Sequence, residues 1–339
     1  MTKRKVALLT GSYTPDICGV GDYTKQIYEN IECLEKNFLI ELIVAKDWSI
    51  KGLFRLIKQI KNNYEIVHMQ YPTEGYGYSL YPIILLAFLK STKRIITLHE
   101  YSQRTLKAKL ATNIFFYFTD FIIFTTDYER EVVIEKFKFV KSKSKVINIG
   151  SNIESPVEKI NWKNRDFDVA YFGHIRPQKG IEEFKLICKE LLLINSKVKL
   201  SLVGQLQIRF EDYYKKNVKD SSYISILNQR DEIVSKILQN TKILLLPFPD
   251  GISMRRGSFL AGIENDCVIV SFNGKYSDSL STLAILFNPN TSFKIIAEEI
   301  NKLLFENEFK KDLKMSIDSF KNKIKWSTIA QAHLEIYEA

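Results

Sequence analysis

Cysteine is scarce in this chain of 339 residues: only Cys18, Cys33, Cys188 and Cys267 occur. No two of them form a CxxC pair and no spacing matches a zinc site. A thiolate-held metal and a disulfide-framed fold are therefore excluded, and a reduced, cytosolic chain is expected. Long apolar runs are missing as well. The most apolar stretch, residues 78–89, is too short to cross a bilayer. The opening Met-Thr-Lys-Arg-Lys leads straight into a strand-like run with no leader-type segment, so the expected location is the cytoplasm, including the inner face of the plasma membrane. Repeats of 20–50 residues and low-complexity tracts are absent, which excludes solenoids and propellers. No Asp-x-Asp pair stands at the end of a predicted strand, so neither a metal nor another cofactor is expected.

What is present is basic. Lysine and arginine number 49 against 39 acids, a net charge of +10. Nucleic acid, acidic lipid and phosphorylated small molecules all suit that field. Nucleic acid drops out because no basic-aromatic motif of a known kind occurs. The apolar share of 45% and charged share of 26% are those of an ordinary globular protein, and the length suits two domains.

The chain opens with an apolar run, Val6–Thr10, then a glycine-bearing loop to Gly21 and a helical pattern over 22–34. Further strands are predicted at 38–45, 66–69, 94–98, 121–125 and 145–149. A polar stretch with Pro156, residues 150–165, reads as a linker. The rhythm restarts with strands at 168–173, 198–203, 242–246 and 268–271, and helices at 181–194, 232–240, 256–265, 293–305, 308–320 and 327–338. Alternating strands and helices imply an α/β fold with two mostly parallel, doubly wound sheets. The predicted division is 1–164, 165–320 and a closing helix, 321–339. In such folds ligands bind outside the carboxyl ends of the strands, so the loops after strands matter most.

Two of those loops carry unusual residues. In Tyr171-Phe-Gly-His-Ile-Arg-Pro-Gln-Lys-Gly180, Gly173 and Gly180 permit tight turns, and Arg176 and Lys179 add charge before a helix start. That combination suits a diphosphate; it equally suits a surface turn with solvated charges. In Leu246-Pro-Phe-Pro-Asp-Gly-Ile-Ser-Met-Arg-Arg-Gly-Ser258, Asp250 and Gly251 make a turn, Arg255 and Arg256 precede a helix, and Ser253 and Ser258 bring hydroxyls. An acid can accept from sugar hydroxyls and arginines bind phosphate in pairs of hydrogen bonds. The plainer reading is a helix start capped by Ser258. In the first half, Gly19-Val-Gly21-Asp22 opens a helix. A dinucleotide fingerprint would need glycine at position 24, where Thr24 stands, which argues against an NAD enzyme.

These segments resemble retaining glycosyltransferases of family 4, which have the GT-B fold. "GHIRPQKGI" resembles their phosphate loop, "FPDGISMRRGSFLAGIENDCVIVS" their donor loop and following helix, and "CGVGDYTKQI" their first glycine loop. "TLHEYS", "FTTDYERE" and "KWSTIAQAHLEIYE" resemble a strand-end histidine, a second strand end and the final helix. The resemblance covers nearly the whole chain and implies two Rossmann-like domains facing across a cleft, with the final helix crossing back to the first. It further implies metal-independent transfer of a sugar from a nucleotide sugar, UDP-sugar favoured over GDP-sugar. The acceptor would be a glycan or a polyprenyl-diphosphate-linked saccharide, in bacterial surface polysaccharide biosynthesis.

The resemblance gives His99, Arg176, Lys179 and Asp250 catalytic roles. Gly19, Gly21, Gly173, Gly180, Gly251, Ile252, Ser253, Arg255, Arg256 and Ser258 fall in donor-binding positions, and Asp22, His68 and Glu100 on the acceptor side. Departures are clear: the family's acid pair reads Asp250 and Ser258 here, and its usual arginine after the strand glycine is His174, with Arg176 two residues on. A subgroup with the donor loop DG-[IV]-S-x-RRG shares these changes. Structural roles remain open for His99, for His68 in the core and for His333. A GT-B epimerase or phosphorylase, and an inactive nucleotide-sugar-binding partner subunit, are the alternative functions. Arg55, Lys58 and Lys61 share one helix face, Lys107 and Lys109 lie near the aromatic run 115–118, and Lys136, Lys138, Lys141, Lys143 and Lys145 follow. Either this is a solvated face or it meets an anionic membrane surface, where each basic residue adds about 1 kcal/mol.

Overall fold

A computed structural model of the protein describes residues 3–14, 16, 18–34, 37–77, 79–155, 158–306 and 311–339. The chain divides into two compact units, Met1–Gly150 with Lys323–Ala339, and Ser151–Asn322.

The sheet of the first unit contains β1 (Arg4–Thr10), β2 (Phe38–Val44), β3 (Ile66–Tyr71), β4 (Lys93–Leu98), β5 (Phe121–Phe124) and β6 (Ser144–Val146). Its order is β2-β1-β3-β4-β5-β6 and every pairing is parallel. Helices α1 (Gly19–Leu34), α2 (Ile50–Asn63), α3 (Tyr81–Phe88), α4 (Leu106–Phe118) and α5 (Asp127–Lys136) alternate with these strands. A central parallel strand is covered on both faces, so its side chains are apolar on both. All six residues of β3 are buried, and this includes two polar ones, His68 and Gln70. Their alternation places them on one face with Ile66. Buried polar groups of this kind need hydrogen-bond partners inside the protein.

The second unit repeats the plan with β7 (Phe167–His174), β8 (Leu200–Gln205), β9 (Ile224–Leu227), β10 (Thr241–Leu246), β11 (Val268–Phe272) and β12 (Ile285–Phe287). The order is β12-β11-β10-β7-β8-β9, again all parallel. Its helices are α6 (Ile181–Ile194), the short α7 (Glu211–Tyr213), α8 (Asp231–Gln239), α9 (Gly257–Glu264), α10 (Phe293–Glu306) and most of α11 (Lys311–Ile324). The last helix, α12 (Trp326–Glu338), belongs to the first unit.

Helix α12 lies against the sheet face formed by Val6, Leu8, Ile66, Ile95 and Ile123, together with Tyr23, Ile27 and Ile31 of α1. It brings Trp326, Ile329, Ala330, Leu334, Ile336 and Tyr337, all under 10% exposed. Burying each such large side chain gains about 1.5–3 kcal/mol. Two cations from the sheet close its C-terminal end: Arg4 donates to the Tyr337 carbonyl (3.1 Å) and Lys93 to that of Ile336 (2.6 Å). That is the favourable end for positive charge. The opposite sheet face packs Leu9, Met69 and Ile96 against α2, α3 and α4.

Three expectations are corrected. The predicted linker is not free: from 151 onward it is docked on the second unit. Asn265 donates to the Ile153 carbonyl, Ser235 to that of Glu154, and Gln239 to that of Glu158. Trp162 is buried, and Arg165 donates to the carbonyls of Thr241 (2.7 Å) and Asp266 (2.8 Å). The polar side chains of this stretch, such as Asn152, Glu154, Glu158 and Lys163, are exposed, while its backbone carbonyls are held by the second unit; Pro156 itself lies outside the described residues. The predicted strand over 145–149 is the shorter β6, Ser144–Val146. The helix predicted over 308–320 is α11, Lys311–Ile324; residues 308–310 lie outside the described residues.

Candidate functional site

The second unit gathers most of the singled-out residues at the carboxyl ends of β7 and β10. After β7 the chain turns through Gln178 (φ 63°) and Gly180 (φ 73°) into α6. Gly180 is left-handed, and a β-carbon there would strike the Pro247 carbonyl, so only glycine fits. The turn is held by Tyr171, whose hydroxyl donates to the Lys179 carbonyl (3.0 Å). Gly173 is tight as well: a methyl group on it would lie 3.0 Å from Tyr171 Oη and 3.1 Å from Ser258 Oγ. That contact brings the loop after β7 against the start of α9.

The loop after β10 is built around its own acid and base. Gly251 (φ 78°) turns the backbone against Gly274 and Ser277. Arg256 lies over the Phe248 ring, 4.0 Å from its centroid. Its Nε donates to the Gly251 carbonyl (2.9 Å) and its Nη2 to Asp250 Oδ1. Arg255 sits over Tyr276 at 5.8 Å.

Electrostatics tie the two loops together. Lys179 is pushed down to about 8, first by burial, then by Arg256 and Arg176, with only Asp250 opposing. The His174 ring is likewise lowered, by desolvation and then by Arg176 and Lys179. Burial also lowers the Arg256 guanidinium, against the pull of Asp250. Cations this close together, with one exposed acid among them, leave an unbalanced positive site. Both adjoining helices add to it. Neither α6, begun at Gly180, nor α9, begun at Arg256, has a side-chain cap on its first amides. Free amides at a helix start, with the dipole behind them, bind anions. The site can hold two negative groups and stabilise charge that grows on them.

Some expectations fail here. Ser258 is not the N-cap of α9; that position is Arg256, and Ser258 falls inside the first turn, facing Gly173. The Ile252 side chain is fully buried, and its carbonyl accepts from the Ser277 hydroxyl (2.8 Å). Ser253 is half-buried in the same loop.

In the first unit His99 follows β4, half-buried. Its Nε2 meets Gln70 Oε1 (2.9 Å), its backbone N–H donates to the Tyr71 carbonyl (2.8 Å), and Tyr23 packs edge-on at 4.7 Å. Burial lowers its pKa to about 3. The next loop residues are held by Glu129, a buried carboxylate that accepts from the amides of Tyr101 (3.0 Å) and Ser102 (2.7 Å). Glu100 is half-buried beside them. His68 is a correction: it is fully buried, between Tyr337 Oη (2.7 Å) and Thr97 Oγ1 (2.7 Å), and it packs the core rather than lining an acceptor site. His333 is buried too, bonded to Tyr23 Oη (2.8 Å).

At the start of α1, Gly21 is needed for its own loop, since a β-carbon would lie 3.1 Å from the Ser12 carbonyl. Gly19 is exposed, with open space where a side chain would stand. Asp22 lies in the first turn of α1.

The basic run is partly consumed by the fold. Lys143 donates to the carbonyls of Phe116 and Thr119 (both 2.6 Å), closing α4, and Lys145 pairs with Glu335 (3.0 Å). Sequence reasoning missed an apolar stripe on α4: Leu106, Leu110, Ile114 and Tyr117 are exposed by 80, 66, 45 and 65%. Their spacing of four, four and three residues was a visible signal. Gln70 was missed as well; its place two residues after His68 in a strand marks the same face. Among the described residues no helix is long and apolar enough to cross a membrane, and no three His, Cys, Asp or Glu side chains converge as metal ligands.

Solved structures share this architecture. HepE of Anabaena in complex with UDP matches with 14% identity over 98% of this chain and 99% of its own, at a TM-score of 0.72. This is the GT-B fold. A glycosyltransferase from Rickettsia africae matches with 13% identity over 100% and 98% of the two chains, TM-score 0.70. The lipopolysaccharide outer core galactosyltransferase WaaB matches with 12% identity over 98% and 99%, TM-score 0.63. At these identities the likeness is one of fold. No family model matches the chain, and no curated protein does.

Proposed function

We propose that the protein is a retaining glycosyltransferase of family 4 type that moves a sugar from a nucleoside diphosphate sugar to a glycan or polyprenyl-diphosphate-linked saccharide. The observation that carries this reading is the crowding of Lys179 by Arg176 and Arg256 beside two uncapped helix starts. A diphosphate supplies the missing negative charge. UDP is the favoured nucleotide, since the matching HepE structures contain UDP.

In this reading Arg176, Lys179 and the first amides of α6 hold the diphosphate. As the bond to the sugar breaks, charge grows on the leaving phosphate, and these donors stabilise it. One such fixed donor is worth roughly 3 kcal/mol. That supply of positive charge favours a metal-independent reaction. Asp250 accepts from sugar hydroxyls once a phosphate draws Arg256 away from it. Ser258 replaces the family's second acid and gives a weaker ribose contact. His99 takes a hydrogen bond from a sugar hydroxyl. Retention follows from attack on the face the leaving group departs from, with no covalent intermediate on the protein.

The acceptor side joins a membrane surface in this reading. The exposed apolar stripe of α4, with Lys107, Lys138 and Lys141 exposed nearby, is an interfacial pattern suited to anionic lipid. A role in surface polysaccharide assembly follows from a lipid-linked acceptor.

Thermal denaturation with UDP, GDP, ADP, TMP and their sugars, EDTA present, tests the donor site. A ligand at 100 times its dissociation constant stabilises by about 2.7 kcal/mol. The expected result is a shift with uridine nucleotides that Arg176→Ala with Lys179→Ala removes. No shift with any nucleotide defeats the reading.

A further inference from the structure

Three of the chain's four histidines meet on one face of the first sheet. His68 and His333 have ring centroids 5.2 Å apart, and Tyr23 bonds His333 while packing on His99. Through this cluster runs one line of hydrogen bonds. Tyr337 Oη meets His68 Nδ1 at 2.7 Å, Gln70 Nε2 meets His68 Nε2 at 3.2 Å, and Gln70 Oε1 meets His99 Nε2 at 2.9 Å.

We infer that Gln70 is a positioning residue that fixes the tautomer of His99, presenting Nδ1 as a bare hydrogen-bond acceptor for a sugar hydroxyl. The inference rests on the reading above, in which His99 meets such a hydroxyl.

An amide oxygen only accepts, so the proton of His99 sits on Nε2 and donates to Gln70. Nδ1 then carries a lone pair, and among the described residues it has no hydrogen-bond partner. The other end of Gln70 is an amide N–H2, which only donates, so His68 Nε2 is bare. It accepts from Gln70 and from the Thr97 hydroxyl (2.7 Å), and His68 Nδ1–H donates to Tyr337 Oη. Gln70 and His68 are both fully buried, so water does not compete for either bond. Burial keeps the rings neutral, and a neutral ring has two unlike nitrogens for Gln70 to sort. A carboxylate in place of the amide would instead draw a second proton onto His99 and turn the acceptor into a donor.

The test reads the rings directly, on the full chain labelled with 15N-histidine, by long-range proton–nitrogen correlation spectra. With four histidines, His99→Gln, His174→Gln and His333→Gln assign the signals. Wild type is expected to show His99 in the Nε2–H form. Gln70→Leu is expected to release His99 from that form. Gln70→Glu, which changes the volume little, is expected to keep Nε2–H on His99, to add a second proton at its Nδ1, and to move the His68 proton from Nδ1 to Nε2. His99 in the Nδ1–H form in wild type, or unchanged by Gln70→Leu, overturns the inference. Affinity gives a second readout with UDP and UDP-glucose as probes. Gln70→Leu is expected to weaken UDP-glucose about fivefold, the worth of one neutral hydrogen bond, and to leave UDP unchanged. Equal loss for both probes marks a merely structural role and overturns it. A wild-type protein that binds neither probe removes the donor reading, while the ring spectra still decide what Gln70 does.

Discussion

In the first unit, α2, α4 and α5 each begin under a hydroxyl of their own: Ser49, Thr105 and Thr126 accept from amides of the first turn. In the second unit, α6 and α9 begin at Gly180 and Arg256 with no side chain over theirs. Histidines follow the same division. The first unit buries His68 and His333 and half-buries His99, all in bonds to neighbours, whereas the second has only the exposed His174. The first unit has uncapped starts of its own, α3 at Leu80 and α12 at Lys325, whereas α6 and α9 of the second begin beside the crowded cations Arg176, Lys179 and Arg256. Cations crowded beside uncapped helix starts favour a negatively charged ligand, which the proposed diphosphate would supply.

Acid should separate the units most sharply. His68 and His333 are held below their ordinary value of about 6.5, mainly by burial, His333 to about 3. The unfolded chain takes up those protons below pH 6.5, and the folded first unit refuses them. Stability is thus full above pH 6.5 and falls as the pH drops toward 3, by about 1.4 kcal/mol per group per pH unit. Hydrogen exchange resolved by unit should show the first unit opening at a pH where the second stays closed. Equal acid sensitivity in both would contradict the contrast.

A smaller effect is expected from Gly180→Ala. It forces a side chain into a left-handed conformation against the Pro247 carbonyl, a cost of about 1–3 kcal/mol confined to the second unit. Urea unfolding and nucleotide affinity should both suffer; an unaffected nucleotide affinity would detach the turn from the site.

The smallest effect sharpens the cap comparison. Thr126→Ala should cost about 1 kcal/mol and leave nucleotide binding alone. Arg256→Ser does the reverse: its backbone is already extended, so serine can cap α9 and add up to about 1 kcal/mol, while nucleotide affinity falls. Gain in melting temperature without loss of affinity would mean that the open helix start is not part of the site.

How much of this was legible in the sequence depended on range. Strand and helix alternation showed because buried runs such as Val6–Leu9 are contiguous. Both loops of the anion site showed because glycine, proline and charge concentrate within a few residues. Contacts between distant segments did not show. The segment after Gly150 looked like a linker because its partners, Ser235, Gln239 and Asn265, lie far along the chain. Lys143 and Lys145 looked like free surface charge for the same reason. Ser258 looked like a cap because hydroxyl type is local, but the N-cap of α9 falls two residues earlier, at Arg256. Strands β9 and β12 are apolar but only four and three residues long, too short for their period to stand out in the sequence.

Helix α12 also sets an order of assembly. The second unit is one continuous stretch, Ser151–Asn322, whereas the first needs Lys323–Ala339 to cover Val6, Leu8 and Ile66. On the ribosome, then, the half that is synthesised first is finished last: its sheet waits with one face uncovered until the second unit has been made and α12 has left the exit tunnel.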